Sequence, residues 1–335
     1  MDNLRIGMIG TGKHARANIF PTLELLQQPV TSVCSRHFER AEAAAREFQA
    51  GSAYADYSVM LASEKLDAVF VVTGVEQDRI VVDCLKAGVH VFVEKPLGLN
   101  PSEAQRAADA AQAAGKLVMV GFNKRFAPAY VQLKQVIQDK EAMGEVLSLQ
   151  GMFAIGPRER GDEKYLKNTA IHYVDLVRFL FGEAEQVFAL SNTQEALIDQ
   201  AICLSFRNGR IGSLFFGGLP SWRRHYEEIT VTGTKGFARV ENIDQLIVHT
   251  SADMPSPQPQ WQNVSEEDRL FTPTHTSSSG GWQDLYLNGY VAEIANFFDC
   301  IHNNSQPTSN AADNVETMRL CERILDRCIH ITLSS

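Results

Sequence analysis

The stretch "L-R-I-G-M-I-G-T-G-K-H-A", residues 4 to 15, decides the fold of this chain. Its first half is a short apolar run that reads as a β-strand. Its second half holds Gly10-x-Gly12-x-x-Ala15 and opens into "ARANIFPTLELLQQ", which reads as a helix interrupted by Pro21. Glycine triplets occur by chance, but this one follows a first strand and begins a first helix, where a dinucleotide-binding fingerprint requires it. Gly10 permits the tight turn, Gly12 lets the backbone approach a pyrophosphate, and Ala15 lets helix pack closely on strand. The helix N-terminus adds N–H donors and positive potential for phosphates. Gly10, Thr11, Gly12, Lys13 and His14 are therefore the expected contacts of a bound nucleotide.

Outward from this loop, strand and helix alternate as far as Phe122. "TSVCS", "LDAVFVVT", "VHVFVEKP" and "KLVMVGF" read as strands, and the third of these segments, ending at Pro96, follows the helix "QDRIVVDCLKAG". Asn100 as N-cap, Pro101 at the first helical position and Glu103 two residues later start another helix that Gly115 stops. Strands apolar on both faces, separated by helices, mean a doubly wound parallel sheet. After Phe122 a helix runs from about Pro128 to Lys140. Segments such as "EVLSLQGMFA", "QVFALSN", "QAICLSFRN", "RIGSLFFGGL" and "HYEEITVTGT" then alternate apolar and polar residues, as antiparallel strands buried on one face do. Residues 251–281, with "PSPQPQ" and "SSSGG", read as irregular, and a pair of helices over 288–303 and 311–330 ends the chain. The expected class is α/β: a Rossmann domain over 1–122, then an α+β domain with an antiparallel sheet over 123–335.

At 335 residues two domains fit comfortably. A hydrophobic fraction of 44% with 21% charged residues is that of a soluble globular protein, and a net charge of −9 argues against nucleic-acid or anionic-membrane partners. No apolar run is long enough to span a membrane. The six cysteines show no CxxC pair and no histidine at metal-ligand spacing, so reduced thiols in a cytoplasmic protein and no bound metal are expected. Cys34, Cys84 and Cys203 fall in apolar or β-like runs, as small hydrophobes do.

The end of the second strand bears on the choice of nucleotide. An acid there would bond the ribose hydroxyls of NAD. This chain has Ser35 and Arg36 instead, with Arg40 one turn later, and these groups suit a 2′-phosphate. NADP is preferred to NAD on that ground.

"V-F-V-E-K-P-L", "G-F-N-K-R-F-A-P", "H-Y-V-D-L", "V-T-G-T-K-G-F-A" and "Y-x-x-E-I-x-x-F" at Tyr290 to Phe297, with the glycine fingerprint in front, resemble the glucose–fructose oxidoreductase/inositol dehydrogenase (Gfo/Idh/MocA) family through the whole chain. The resemblance implies an NAD(P)-dependent oxidoreductase of sugars, polyols or related secondary alcohols, assembling as a homodimer or homotetramer through an open sheet of the second domain. It makes Lys95 the catalytic lysine, with the Glu94–Lys95 peptide beside the nicotinamide. Lys95 ends a parallel strand, where ligands of such sheets bind, and its ammonium suits a developing oxyanion. Thr73, Gly74 and Asn123 are the further cofactor contacts so implied; Asp78 and Arg125 match the family more loosely.

The segment 166–182 is apolar on most faces, yet Asn168, His172 and Asp175 lie three and four residues apart on one stripe. The resemblance puts His172 and Asn168 with Lys95 in a catalytic constellation, Asn168 standing where relatives often place an aspartate. His172 would act as general base, Asn168 would orient a neighbouring hydroxyl, and Asp175 reads as an anchor. The pairs Arg158/Arg160 and Arg223/Arg224 are candidates for a substrate anion, and Tyr165 and Trp222 for stacking on a sugar ring. A non-catalytic NAD(P)-sensing regulator and an NAD-dependent glycosidase are the alternatives of other classes.

Overall fold

The computed structural model describes residues 4–156, 160–194, 197–219, 225–250, 267–273 and 282–331. Arg158, Trp222, Arg223 and Arg224 lie outside the described residues. The chain groups into two compact units, one of residues 1–123 with 289–319 and one of 124–288 with 320–335.

The first unit is built on six parallel strands: β1 (Ile6–Ile9), β2 (Val30–Cys34), β3 (Ser52–Tyr54), β4 (Ala68–Val71), β5 (His90–Glu94) and β6 (Val118–Gly121). Their order is β3-β2-β1-β4-β5-β6, so the winding reverses between β1 and β4. Ligands of such sheets bind outside the carboxyl ends of the strands at that reversal. Strands β1, β4 and β6 are buried at every position, as the apolar runs required. Helix Tyr290–Asn303 supplies Phe297, which meets the rings of Phe70 and Phe92 edge-on at 5.8 and 5.9 Å while those two stack at 4.9 Å. Truncating such a fully buried ring costs about 3–5 kcal/mol, so this far-downstream helix is part of the first unit's core. At the sheet edge, Ser309 Oγ donates to Val120 O at 2.7 Å and Val120 N donates to Ser309 O at 2.8 Å.

The second unit carries β7 (Val146–Ala154), β8 (Ala184–Ser191), β9 (Ile198–Phe206), β10 (Ile211–Gly218), β11 (Tyr226–Gly233), β12 (Gly236–Glu241), β13 (Gln245–Thr250), β14 (Glu267–Phe271) and β15 (Cys328–His330). They form one nine-stranded sheet in the order β14-β13-β12-β11-β7-β10-β9-β8-β15. It is mixed and mostly antiparallel: β10 runs parallel to β7 and β15 parallel to β8. One face is core, with Leu149, Phe153, Ile202, Phe216 and Val231 buried. Helix Ile171–Phe181 packs on that face through Tyr173 against Phe153 and Phe181 against Phe206, at ring separations of 5.0 and 5.3 Å. The other face exposes Phe188, Ile211 and Phe215. Cys203 lies on that exposed face, contrary to the expectation of a small buried hydrophobe; the strict alternation of β9 turns it away from buried Ile202 and Leu204.

Three local expectations change. The first helix is not interrupted at Pro21, because a π-helical segment, Ala15–Ile19, precedes it and Pro21 falls in the first turn of the following segment Phe20–Leu25, where no N–H is needed. The final helix ends at Asp326, and the residues from Cys328 form β15. Within 251–281, residues 267–271 are a strand hydrogen-bonded to β13.

Candidate active site

The turn after β1 is built by backbone crowding. Gly10 has φ +104°, and a Cβ there would meet Val72 O at 2.2 Å, so neither the dihedral nor the space admits another residue. Its N–H donates to Cys34 O at 2.9 Å, which ties the turn to β2. At Gly12 a Cβ would meet nothing within 4 Å, so no protein neighbour requires that glycine. Buried Thr11 keeps its Oγ1 without a hydrogen-bond partner among the described residues. A buried hydroxyl without a partner costs stability. This orphan, the open approach at Gly12 and the helical N–H groups beyond suit a pyrophosphate.

Beside the loop lies a cavity of about 310 Å³, lined by Gly10 to Gly12, Ser35, Arg36 and Thr73 among others. Arg40, Arg79 and Tyr57 also line it. Arg79 and Tyr57 escaped the sequence reading. Tyr57 begins a short helix, Tyr57–Ser63, and Arg79 sits in helix Gln77–Lys86, each reaching the cavity from a different crossover. Their signal was only a polar residue at the carboxyl side of the sheet. Tyr57 Oη donates to Asp83 Oδ2 at 2.9 Å, which holds the ring, and burial pushes its hydroxyl pKa up to about 12. Asp78, loosely matched to the family, is turned away and accepts from Arg106 Nη2 at 2.9 Å.

The end of β5 is braced from two sides. Buried Gln77 accepts from Gly74 N at 3.2 Å and donates to Glu94 O at 2.6 Å and Pro96 O at 2.7 Å. It clamps the loop after β4 onto the Lys95–Pro96 peptide, which is cis. Nothing in its helical setting singled Gln77 out, because its partners are backbone carbonyls seventeen and nineteen residues on. Thr73 Oγ1 donates to Val75 O at 2.9 Å, and Gly74 takes φ +72°. Glu94, buried, meets His14 Nε2 at 2.8 Å, and Asn18 Nδ2 stands 3.0 Å from His14 Nδ1. Burial disfavours the imidazolium of His14 and the Lys95 ammonium opposes it, but the Glu94 carboxylate outweighs both and raises its pKa above the ordinary value. Lys95 itself is half-buried at the strand end, Lys13 is exposed on the loop, and Asn123 is buried directly after β6.

In the second unit the polar stripe divides. Asp175 is 1% exposed and forms a two-point ion pair with Arg125, whose Nε and Nη2 each donate at 2.6 Å. That geometry matches carboxylate to guanidinium and fixes the helix to the turn Asn123–Phe126. The neighbouring Lys124 pairs with buried Glu227, which also accepts from Tyr130 Oη at 2.9 Å. Between Tyr165 and Arg178 only Asn168, Thr169 and His172 are not buried. The helix is π-wound over Leu166–Ala170, and such widened turns recur at functional sites. Tyr165, a candidate for stacking on a sugar, is fully buried and donates to Gly217 O at 2.7 Å, so it belongs to the core. Thr169 was missed, since its neighbours in sequence are apolar or expected on the stripe.

Residues 4–122 match an oxidoreductase family described as an NAD-binding Rossmann fold, and residues 161–328 match the same family's C-terminal α/β domain. The chain belongs to the Gfo/Idh/MocA oxidoreductase family. Among Gfo/Idh/MocA relatives, the D-apiose dehydrogenase of Paraburkholderia graminis is 24% identical over 337 residues, covering 94% of this chain and 85% of its own. The dTDP-3,4-didehydro-2,6-dideoxy-α-D-glucose 3-reductase of Actinomadura kijaniata is 28% identical over 253 residues, 72% of this chain and 75% of that protein. The solved structure of levoglucosan dehydrogenase with NADH and L-sorbose has the same fold, with a TM-score of 0.84 at 22% identity over 98% of this chain and 97% of that one. This protein is accordingly an NAD(P)-dependent oxidoreductase. Relatives named as dehydrogenases and reductases favour turnover over a sensing or glycosidase role.

Proposed function

We propose that the protein interconverts a secondary alcohol and a ketone on a sugar, polyol or sugar derivative, with NADP preferred to NAD. The observation that carries this reading is the partly exposed pair Asn168 and His172 on a largely buried helix, in a chain whose relatives include a sugar dehydrogenase and a nucleotide-sugar reductase. A largely buried helix that keeps Asn168 and His172, with Thr169 between them, accessible is suited to presenting polar groups to a ligand.

Bound nicotinamide supplies the hydride acceptor or donor. His172 takes the hydroxyl proton as the alcohol is oxidised and returns it in the reverse direction, a role that an imidazole side chain suits. The Lys95 ammonium hydrogen-bonds the reacting oxygen and stabilises its growing negative charge. Asn168 cannot take a proton, so it orients a neighbouring hydroxyl by hydrogen bonds and selects among substrates. Gly10, Thr11, Gly12, Lys13 and His14 hold the pyrophosphate side, with Thr73, Gly74, Glu94 and Asn123 along the cofactor. Ser35 and Arg36 take the ribose end, where Arg40 and Arg79 line the same cavity and favour a 2′-phosphate.

The test is reduced-nicotinamide absorbance with NADP+ or NAD+ and a panel of polyols, aldoses, uronic acids and nucleotide sugars. Turnover of at least one class is expected. Tight cofactor binding with no turnover across the panel would overturn the reading. The exposed apolar residues Phe188, Ile211 and Phe215 on one face of the second sheet support a homodimer or homotetramer built on that face. All six cysteines are free. Among the described residues no helix is long and apolar enough to cross a membrane.

A further inference from the structure

The second unit contains a cluster that hydride transfer does not use. Asp162 begins the helical run that continues through Asn168 and His172, and Cys328 and His330 lie on one strand, β15. Positions two apart on a strand face the same way, so Cys328 and His330 present sulfur and imidazole together. Asp162 meets them from 166 and 168 residues earlier in the chain. One ligand atom from each of the three lies within 4.8 Å of the other two.

Asp162 is the telling member. It is 8% exposed, and neither of its carboxylate oxygens has a hydrogen-bond partner among the described residues. A buried carboxylate left in that state is costly. His330 Nδ1 stands 3.6 Å from Oδ2, which is an ion-pair distance and too long for a hydrogen bond. A His330–Asp162 ion pair would leave the second oxygen unanswered and Cys328 without a part. A separation of 3.6 Å is close to the edge of a metal tetrahedron, about 3.4 Å for nitrogen and oxygen each roughly 2.1 Å from one ion.

We propose that Asp162, Cys328 and His330 bind one zinc-type divalent cation that ties β15 to the start of the helix carrying Asn168 and His172. One thiolate, one imidazole and one carboxylate are a donor set that suits zinc, and a water completes four-coordination. Binding releases the Cys328 thiol proton and leaves His330 neutral, so affinity rises with pH. The half-exposed Cys328 and exposed His330 give the ion a route from solvent. Linear spacing hides such a site, because Cys328-x-His330 supplies only two donors and the third is distant in sequence.

The test uses the full chain, stripped with chelator and titrated with zinc against a chromophoric competitor, then with cobalt(II) for its spectrum. One equivalent should bind with a Kd of about 1 μM or tighter. Cobalt should give a thiolate charge-transfer band and tetrahedral visible bands, and Cys328→Ser should abolish the former. His330→Ala should weaken zinc beyond the roughly 10–100-fold typical of losing a group that only supports a ligand. Both variants alter accessible residues, so they remain informative where Asp162→Asn fails to fold. Absence of binding, or binding unchanged in both variants, would overturn the proposal.

Discussion

The glycine loop of the first unit and the polar stripe of the second were equally conspicuous in the sequence, yet they differ in what determines their meaning. At Gly10 the constraint falls on the backbone, with φ at +104° and the main-chain carbonyl of Val72, just past the end of the adjoining β4, where a Cβ would stand. A spacing rule captures that, because it encodes backbone geometry. On the stripe, meaning comes from a distant partner. Arg125, fifty residues away, claims Asp175 and buries it, while Asn168 and His172, on the same helix, keep part of their surface exposed. A row of polar residues is thus two things, an anchor and a candidate site, and the boundary between them is set by tertiary contacts.

The sharpest way to break this division is to remove the anchor. Asp175→Ala should lower unfolding free energy by about 3–5 kcal/mol, the usual result of leaving a buried charge without its partner, as read from denaturant titration. Near-native stability would place Asp175 outside the frame of the helix. His172→Ala should do the opposite, with stability nearly unchanged and kcat reduced about 10²–10⁴-fold. If Asp175→Asn costs more turnover than His172→Ala after correction for folded fraction, the stripe is assigned the wrong way round. On the glycine-loop side, Lys95→Ala should cut kcat by about 10²–10³-fold while nucleotide binding stays measurable. Unaltered turnover would take Lys95 out of the mechanism.

Legibility followed the same line. Strands β1, β4 and β6 could be read because they are apolar throughout, whereas the short, half-buried β3 was not read at all. Asn100 was recognisable as a cap because it accepts from Glu103 N at 2.9 Å within its own turn. The parallel pairing of β10 with β7 was not, since strands that alternate look alike whichever way their neighbours run. Cys328 to His330 read as the tail of a helix because three residues carry no period, and only pairing with β8 makes them a strand. Gln77 and Arg79 stayed hidden for a related reason. Their importance depends on which loop or cavity their helix faces, and that is settled by the crossover.

Cofactor discrimination gives a smaller and more graded test of how local the first site is. Arg36→Ala and Arg79→Ala should each weaken NADP by roughly tenfold, the loss of one charge-assisted contact, with little change for NAD. Arg36 comes from the β2 turn that sequence reading singled out, and Arg79 from a helix it passed over. An effect at Arg36 alone would mean that the 2′-phosphate is recognised within one turn; equal effects would make recognition a property of the whole cavity.

The smallest effect concerns His14, which stands on the loop after β1 but takes its charge state from Glu94 at the end of β5. Burial lowers its pKa, yet the Glu94 carboxylate prevails and the folded value is raised. A raised folded value means that the native state holds the proton more tightly than the unfolded chain. The stabilisation is therefore complete below the ordinary pKa of about 6.5 and fades as pH rises through the folded value. Melting temperatures of the wild-type chain and His14→Gln, compared from about pH 5.5 to 8.5, should differ most at the acid end and converge on the alkaline side. The ring is partly open to solvent, so the gap should be small and shrink with added salt. A gap that widens with pH would mean that the imidazole is held neutral, and that even the glycine loop has a residue whose role is decided elsewhere in the fold.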